Sequence, residues 1–474
     1  MRRIHIGFIV VAFIVLVGVG TWGWLHSYAS QSTLPKGVTL ANWNVGDMKM
    51  NEVIAAYQQQ IEQLNEKKIT LRIDAPKAVE RVVTMKQLGV TFEESGLLQE
   101  MKKLTEGNLW DRVQYRYSIP KQWNLIVKWD DTALMKQYDA AWEKKYMGQS
   151  VNAVRLISPQ DVVSYIPDQS ANRIDWERTK QDIAKQIPRE FISETAAKQV
   201  ATVQFTLKEM PAKITLDALK AEGVERKIME FTTSFATSAQ GRVYNVTAAA
   251  KTLNNTILKP GDVFDYGKII AATEKKFGFR EAPVIFKGKL IPGIGGGICQ
   301  VSSTLYNAAI RTGLQIVERR NHSLPVSYLP IGQDATFSEG NINFRFKNTT
   351  GNTLLIRAEV VNKELTIKLF GTMDKDTRYD ISSSTVKVLE PPVKYVVDSS
   401  LPAGGREVLS EGKQGYIVET YRTLTKNGKV IEKKRISRDT YQPQPMLVAV
   451  NNGEEVSNSK SKDDTKEILE DGVS

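Results

Sequence analysis

From Ile4 to Leu25 the chain is almost unbroken apolar sequence, preceded by Arg2 and Arg3 and closed by Trp22 and Trp24. At 1.5 Å rise per residue a helix of that length reaches ~33 Å, enough to cross a bilayer. The paired arginines keep the N-terminus cytoplasmic, and the tryptophans suit the outer headgroup level. Tyr28-Ala29-Ser30 offers a weak signal-peptidase site, but the apolar run exceeds the ~7–15 residues of a cleaved signal's core. The expectation is a single-pass signal-anchor with a short cytoplasmic stub over residues 1–30, with residues 4–25 in the membrane. Everything after it then faces the extracytoplasmic cell envelope.

With 474 residues, the chain has room for two to four domains, and 41% hydrophobic with 25% charged residues is ordinary for globular protein. The formal charge of +11 favours anionic partners. Outside the cytoplasm these are headgroups and anionic wall polymers; nucleic acid is excluded by the address.

Asn51 is placed to cap a helix carrying Val53, Tyr57, Ile61 and Leu64 on one face. Two stretches then share a pattern. Strand sequence around 70–74, Pro76, a second strand at 79–83 and a helix around 97–104 recur as 154–157, Pro159, 162–166 and a helix around 176–187. Two related α+β modules are therefore expected within residues 31–210. Dense motifs fill 231–371, ending on the alternating strand Leu365 to Phe370. A β-rich unit follows over 390–450, with Lys426-Asn427-Gly428 as a hairpin turn. The tail, 451–474, is polar and acidic and is expected to be disordered. The fold class is thus α+β and multidomain, with mixed α/β architecture in the central block.

The chemistry concentrates in that block. Cys299 is the chain's one cysteine, and His322 the one histidine after residue 30; His5 and His26 sit inside or beside the membrane segment. A lone thiol cannot make an internal disulfide, which leaves a buried small hydrophobe, an intermolecular link or a nucleophile. Gly293, Gly295, Gly296 and Gly297 precede it, and such runs let N–H groups converge on an anion. From Cys299 to Ile310 the spacing is helical, with Val301, Leu305, Ala308 and Ala309 as the apolar side and Gly313 as the stop. A cysteine at a helix N-terminus is favoured as thiolate. His322 would act as base and acid, oriented by Asp334, or alternatively by Glu318 or Asn321. Gly295, Gly296, Gly297, Gln300, Ser302 and Ser303 are the candidate substrate and oxyanion contacts. One Cys and one His leave a zinc site two ligands short, so no metal is expected.

Several segments together resemble a VanW domain: Tyr244 to Ala250, Leu258 to Phe264, Glu281 to Val284, Pro292 to Asn307 with its glycine-Cys-Gln-Val-Ser-Ser-Thr core, and Asn321 to Val326. The family takes its name from an accessory protein of vancomycin (glycopeptide) resistance clusters. The preceding repeats resemble the peptidoglycan-binding domain that commonly accompanies VanW, and 390–450 is similar to a G5 domain, a β-rich module of cell-surface and wall-sugar adhesion. The resemblance implies a Gram-positive-type envelope protein working on peptidoglycan stem peptides and glycan. It further implies L,D-transpeptidation with Cys299 as nucleophile and His322 as its partner, making 3→3 cross-links without a cofactor. The chain lacks the His-Gly-Cys signature of YkuD-type L,D-transpeptidases, so their fold and residue roles do not transfer. A non-catalytic wall-binding scaffold is the alternative, and surface adhesion through the G5-like unit a third.

Overall fold

The N-terminal apolar run forms one helix, α1 (Arg2–Ala29), with a mean hydropathy of 2.5 over a window none of which is buried. Such a helix is compatible with a signal-anchor. The computed structural model describes residues 2–74, 78–286, 289–451 and 469–473. They divide into two units: Met1–Asn152 with Asp168–Lys213, and Ala153–Pro167 with Ile214–Ser474.

In the first unit, strand Lys68–Ile73 pairs antiparallel with Val79–Thr84 and parallel with Ala201–Gln204. Its alternation puts Ile69, Leu71 and Ile73 in the core with Val53 and Leu64 of helix Met50–Asn65 and Ile183 of helix Trp176–Gln186. Asn51 does not cap the first of these helices. Lys49 holds the cap position, and the Met50 N–H is already taken by the Ser32 carbonyl at 2.9 Å. An incoming backbone thus replaces a capping side chain.

Both hairpin–helix patterns form: Lys68–Ile73 with Val79–Thr84 and then Leu97–Lys103, and Val154–Ile157 with Val163–Ile166 and then Trp176–Gln186. They are not two separate modules. The second hairpin belongs to the second unit, where Ile157 and Val163 pack on Val224, Leu355 and Phe370. Asp161 at its turn pairs with Lys227 at 2.6 Å and Lys368 at 3.0 Å. Burial of two β-branched residues and a shared carboxylate therefore override the sequence repeat.

The second unit is built on a four-stranded antiparallel sheet. Strand β1 (Arg226–Ser234), helix α2 (Gln240–Leu253) and strand β2 (Thr256–Leu258) come first. Hairpin β3 (Glu281–Phe286) and β4 (Lys289–Ile294) then runs through the glycines into helix α3 (Ile298–Arg311). Strands β5 (Leu354–Val361) and β6 (Glu364–Gly371) complete the sheet in the order β1-β6-β5-β2. Helices α2 and α3 pack on it and on each other, sharing a core that includes Val246, Leu253, Val301, Leu305, Ile356 and Ile367.

The β-rich part begins earlier than residue 390. Strand β7 (Thr377–Leu389) pairs with β8 (Gly415–Lys426), and β8 with β9 (Lys429–Tyr441). Asn427 and Gly428, with φ of 50° and 71°, make the two-residue turn between β8 and β9. Val393–Val397, Met446–Val450 and Arg406–Ser410 form a second small sheet. The expectation of a structureless tail fails at its far end. Strand β10 (Leu469–Glu470) pairs antiparallel with β3, and Asp471 and Val473 are buried; residues 452–468 lie outside those described. Composition misled there because the acidic side chains find cationic and N–H partners.

Candidate active site

Helix α3 is buried along its whole length from Ile298 to Ile310, although half of it is polar. Its small polar side chains are satisfied internally. Thr304 Oγ1 meets Thr233 Oγ1 at 2.8 Å, and Asn307 Nδ2 donates to the Gln333 carbonyl at 2.7 Å. Ser302 Oγ donates to the Ala335 carbonyl at 2.6 Å, while Ser303 Oγ accepts the Ala335 N–H at 2.9 Å. These bonds hold the segment 333–337 against the helix. Ser302 and Ser303 are therefore clamps for that loop, not substrate contacts.

The loop delivers the site. Gly297, at φ 106°, occupies the cap position of α3 and sets Cys299 in its first turn. The Phe337 N–H donates to Cys299 Sγ at 3.0 Å, and Thr336 Oγ1 lies 3.6 Å from the sulfur. The thiol itself donates to the Phe337 carbonyl at 3.4 Å, and His322 lies near enough to the sulfur for each to bias the other's protonation. The His322 Nδ1 meets Asp334 Oδ2 at 2.6 Å, and the same oxygen accepts the His322 backbone N–H at 2.7 Å. Because the carboxylate is an acceptor, Nδ1 carries hydrogen, and Nε2 is the ring nitrogen that Asp334 does not engage. Neither Glu318 nor Asn321 holds the ring: Glu318 accepts from the Asn343 N–H, and Asn321 donates to the backbone carbonyls of His322 and Thr440.

Burial shapes the protonation of all three groups. It pushes the Cys299 thiol up, assisted by the Asp471 charge, against the pull of His322 and the Phe337 N–H. The helix N-terminus alone thus does not make a resting thiolate, contrary to expectation. Burial opposes an imidazolium at His322, but Asp334 and Cys299 outweigh it and hold the ring well above its usual range. Asp334, though buried, is brought down to about 2 by His322 and Arg319.

Groups missed in the sequence complete the arrangement. Tyr441 Oη, at the end of β9, donates to Asp334 Oδ1 and accepts the Gly332 N–H at 2.7 Å. Arg319 donates to the Asp334 carbonyl and to Asp439, each at 2.6 Å. Arg242 of α2 donates to Gln300 Oε1 and to Asp471 Oδ2, each at 3.1 Å. Gln300 is itself tied to Thr233 and Ser234, so it positions Arg242 instead of meeting a substrate. Apart from Arg319 and Asp334, 15 residues apart, these pairs join elements far apart in the chain.

The glycines serve close approach more than anion binding. The Gly295 N–H is spent on the Arg280 carbonyl at 3.1 Å. A Cβ on Gly296 would lie 2.4 Å from the Pro283 carbonyl oxygen, and one on Gly297 2.8 Å from Arg242 Cγ. The N–H that does face an anion is that of Cys299 itself, which donates to Asp471 Oδ1 at 2.7 Å.

Residues 241–370 match the VanW-like protein family and residues 382–453 match the G5 domain. The chain is 40% identical over 147 residues to the uncharacterized protein YoaR of Bacillus subtilis (strain 168), covering 31% of this chain and 48% of YoaR. It is 29% identical over 153 residues to the vancomycin B-type resistance protein VanW of Enterococcus faecalis (strain ATCC 700802 / V583), covering 31% of this chain and 56% of that protein. The chain thus spans about half the length of these curated relatives. Among solved structures it is similar to HP0197-G5 (26% identity, 15% of this chain, 96% of that one, TM-score 0.12) and to the IgA1 protease G5 domain (23%, 17%, 98%, TM-score 0.13).

Proposed function

We propose that this is a membrane-anchored envelope protein that acts on peptidoglycan, and that Cys299 is the nucleophile of an L,D-transpeptidase-type acyl transfer. The observation that carries the reading is the buried His322–Asp334 pair beside Cys299, whose own N–H is aimed at an anion. The family link to glycopeptide resistance, borne by the name of the Enterococcus faecalis relative, and the G5 domain fit a place at the wall.

In this reaction the neutral form of His322, with hydrogen on Nδ1, takes the thiol's proton on Nε2. The sulfur attacks the carbonyl of a donor stem peptide, and the developing oxyanion takes the Cys299 N–H. The carbon–nitrogen bond breaks as the imidazolium protonates the departing D-amino acid, leaving a thioester. The side-chain amine of a second stem, deprotonated by His322, attacks that thioester. An amide forms, the thiolate leaves, and the proton on His322 restores the thiol. Atoms and charge balance without a cofactor. Asp334 fixes the tautomer and steadies the imidazolium throughout.

Full-length protein in detergent, incubated with disaccharide-tetrapeptides, should yield 3→3 dimers by mass spectrometry. Cys299→Ala should lower that yield by more than about a thousandfold, and His322→Gln by about a hundredfold or more. Undiminished cross-linking by Cys299→Ala would end the reading. A non-catalytic scaffold is favoured by one observation, the complete burial of Cys299 at 0% exposure. It predicts sacculus binding that survives Cys299→Ala and no dimers from either protein.

A further inference from the structure

The segment Leu469–Val473 lies across the mouth of the site as an added strand. Leu469 and Glu470 pair with Phe286 and Ile285 on the edge of β3. The Asp471 N–H then donates to the Phe337 carbonyl at 3.3 Å, and the Val473 N–H to the Ile294 carbonyl at 3.0 Å. Gly295 makes room for this passage: a Cβ there would sit 3.1 Å from the Val473 nitrogen. Main-chain pairing on a sheet edge with side chains dropped into specific seats is how proteins bind extended peptides.

The two seats are selective for carboxylates. Glu470 Oε2 accepts from the Ser323 N–H at 2.9 Å and from its hydroxyl at 3.0 Å, one residue beyond His322. Asp471 bridges the Cys299 N–H and the Arg242 guanidinium. Tyr328 Oη is buried beside this pair without a hydrogen bond of normal geometry, with the Ser303 hydroxyl as its polar neighbour. One further feature concerns handedness. Asp471 has φ of 63°, a region that L-residues adopt at a cost and that a D-residue enters freely.

We propose that Leu469–Val473 is an internal occupant that withholds Cys299, and that the groove it fills takes an extended acidic peptide with a D-configured residue at the Asp471 position. The ligand half deepens the reading of the site as one for stem peptides; the occupancy half stands without any turnover. With the segment in place the Cys299 N–H is occupied and the Asp471 charge disfavours the thiolate. Departure of the segment removes both restraints.

The test uses the full chain in detergent, whose single thiol makes alkylation unambiguous. Iodoacetamide labelling at neutral pH is compared with Asp471→Asn and with a chain ended after Asn451, each first checked for a native circular dichroism spectrum and melting transition. Labelling should rise at least about tenfold in the shortened chain and by less in Asp471→Asn. The peptide Leu-Glu-Asp-Gly-Val, added in trans, should restore protection. Its counterpart with D-aspartate should do so at a concentration about tenfold lower, and Arg242→Ala should abolish protection by both. Equal labelling of a folded shortened chain overturns the occupant. Equal potency of the two peptides, or protection that persists in Arg242→Ala, overturns the ligand. Neither readout needs cross-linking, so loss of the enzymatic reading alone leaves them standing.

Discussion

Asp334 carries most of the electrostatic weight at the site, because it answers His322, Arg319 and Tyr441 at once. Its carboxyl is held at about 2, below the ordinary value of 3.8. A depressed acid contributes stability that is present above its unfolded pKa and lost as pH falls through the folded one, here between about pH 4 and 2. Converted by linkage, this part is worth about 2 kcal/mol. His322 has the opposite sign. Its raised pKa contributes stability that is complete below ~6.5 and disappears as pH rises through the folded value. Asp334→Asn leaves the buried His322 ring without its carboxylate and Arg319 with Asp439 alone, and should cost roughly 3–5 kcal/mol at neutral pH. Urea unfolding followed from pH 2 to 8 should show that the variant lacks the wild-type loss below pH 4; an unchanged acid limb would refute the assignment.

At the scale of elements, the decisive join is between hairpin β3–β4 and helix α3. Three consecutive glycines make it, and two of them have positive φ. Gly296 does not, yet it has the least room: its Cβ would press on the Pro283 carbonyl oxygen and the Ala282 carbon, both backbone atoms that no rotamer change can move. Gly296→Ala should therefore shift the hairpin away from α3 and cost about 1–3 kcal/mol. It should also loosen the first turn that presents Cys299, so thermal denaturation and iodoacetamide labelling should change together. A variant that melts like wild type would mean the hairpin yields more easily than the packing suggests.

Across the molecule, the G5 block and the VanW-like domain are not independent pieces. They belong to one unit, and strand β9 sends Asp439 to Arg319 and Tyr441 to Asp334, while Thr420 of β8 donates to the Gly332 carbonyl at 3.0 Å. The G5 block thus buttresses the loop that carries Asp334, the partner of His322. Tyr441→Phe removes a donor to Asp334 and an acceptor for the Gly332 N–H in one step. It should cost about 1–3 kcal/mol and lower cross-linking through a disordered His322, although residue 441 lies outside the VanW match. Cross-linking at the wild-type rate by that variant would show that the two domains are coupled in space alone.

What the sequence determined by itself is whatever local chemistry dictates. An apolar run that long becomes a helix, Asn-Gly closes a hairpin, and Gly313 at φ 76° ends α3. The nucleophile candidate and its imidazole were legible because each is unique after residue 30, and Asp334 because it follows His322 closely. Tertiary structure alone decided the rest. Whether Ser302 and Ser303 faced substrate or a loop depended on where residue 335 lay, and whether Gly295 donated to an anion depended on the Arg280 carbonyl. Arg242, Tyr441 and Asp471 reach the site from 57 residues before Cys299 to 172 after it, distances at which periodicity and spacing carry no information. The protonation of the thiol followed the same rule: a helix N-terminus is a local property, but burial is a property of the whole fold, and burial prevailed.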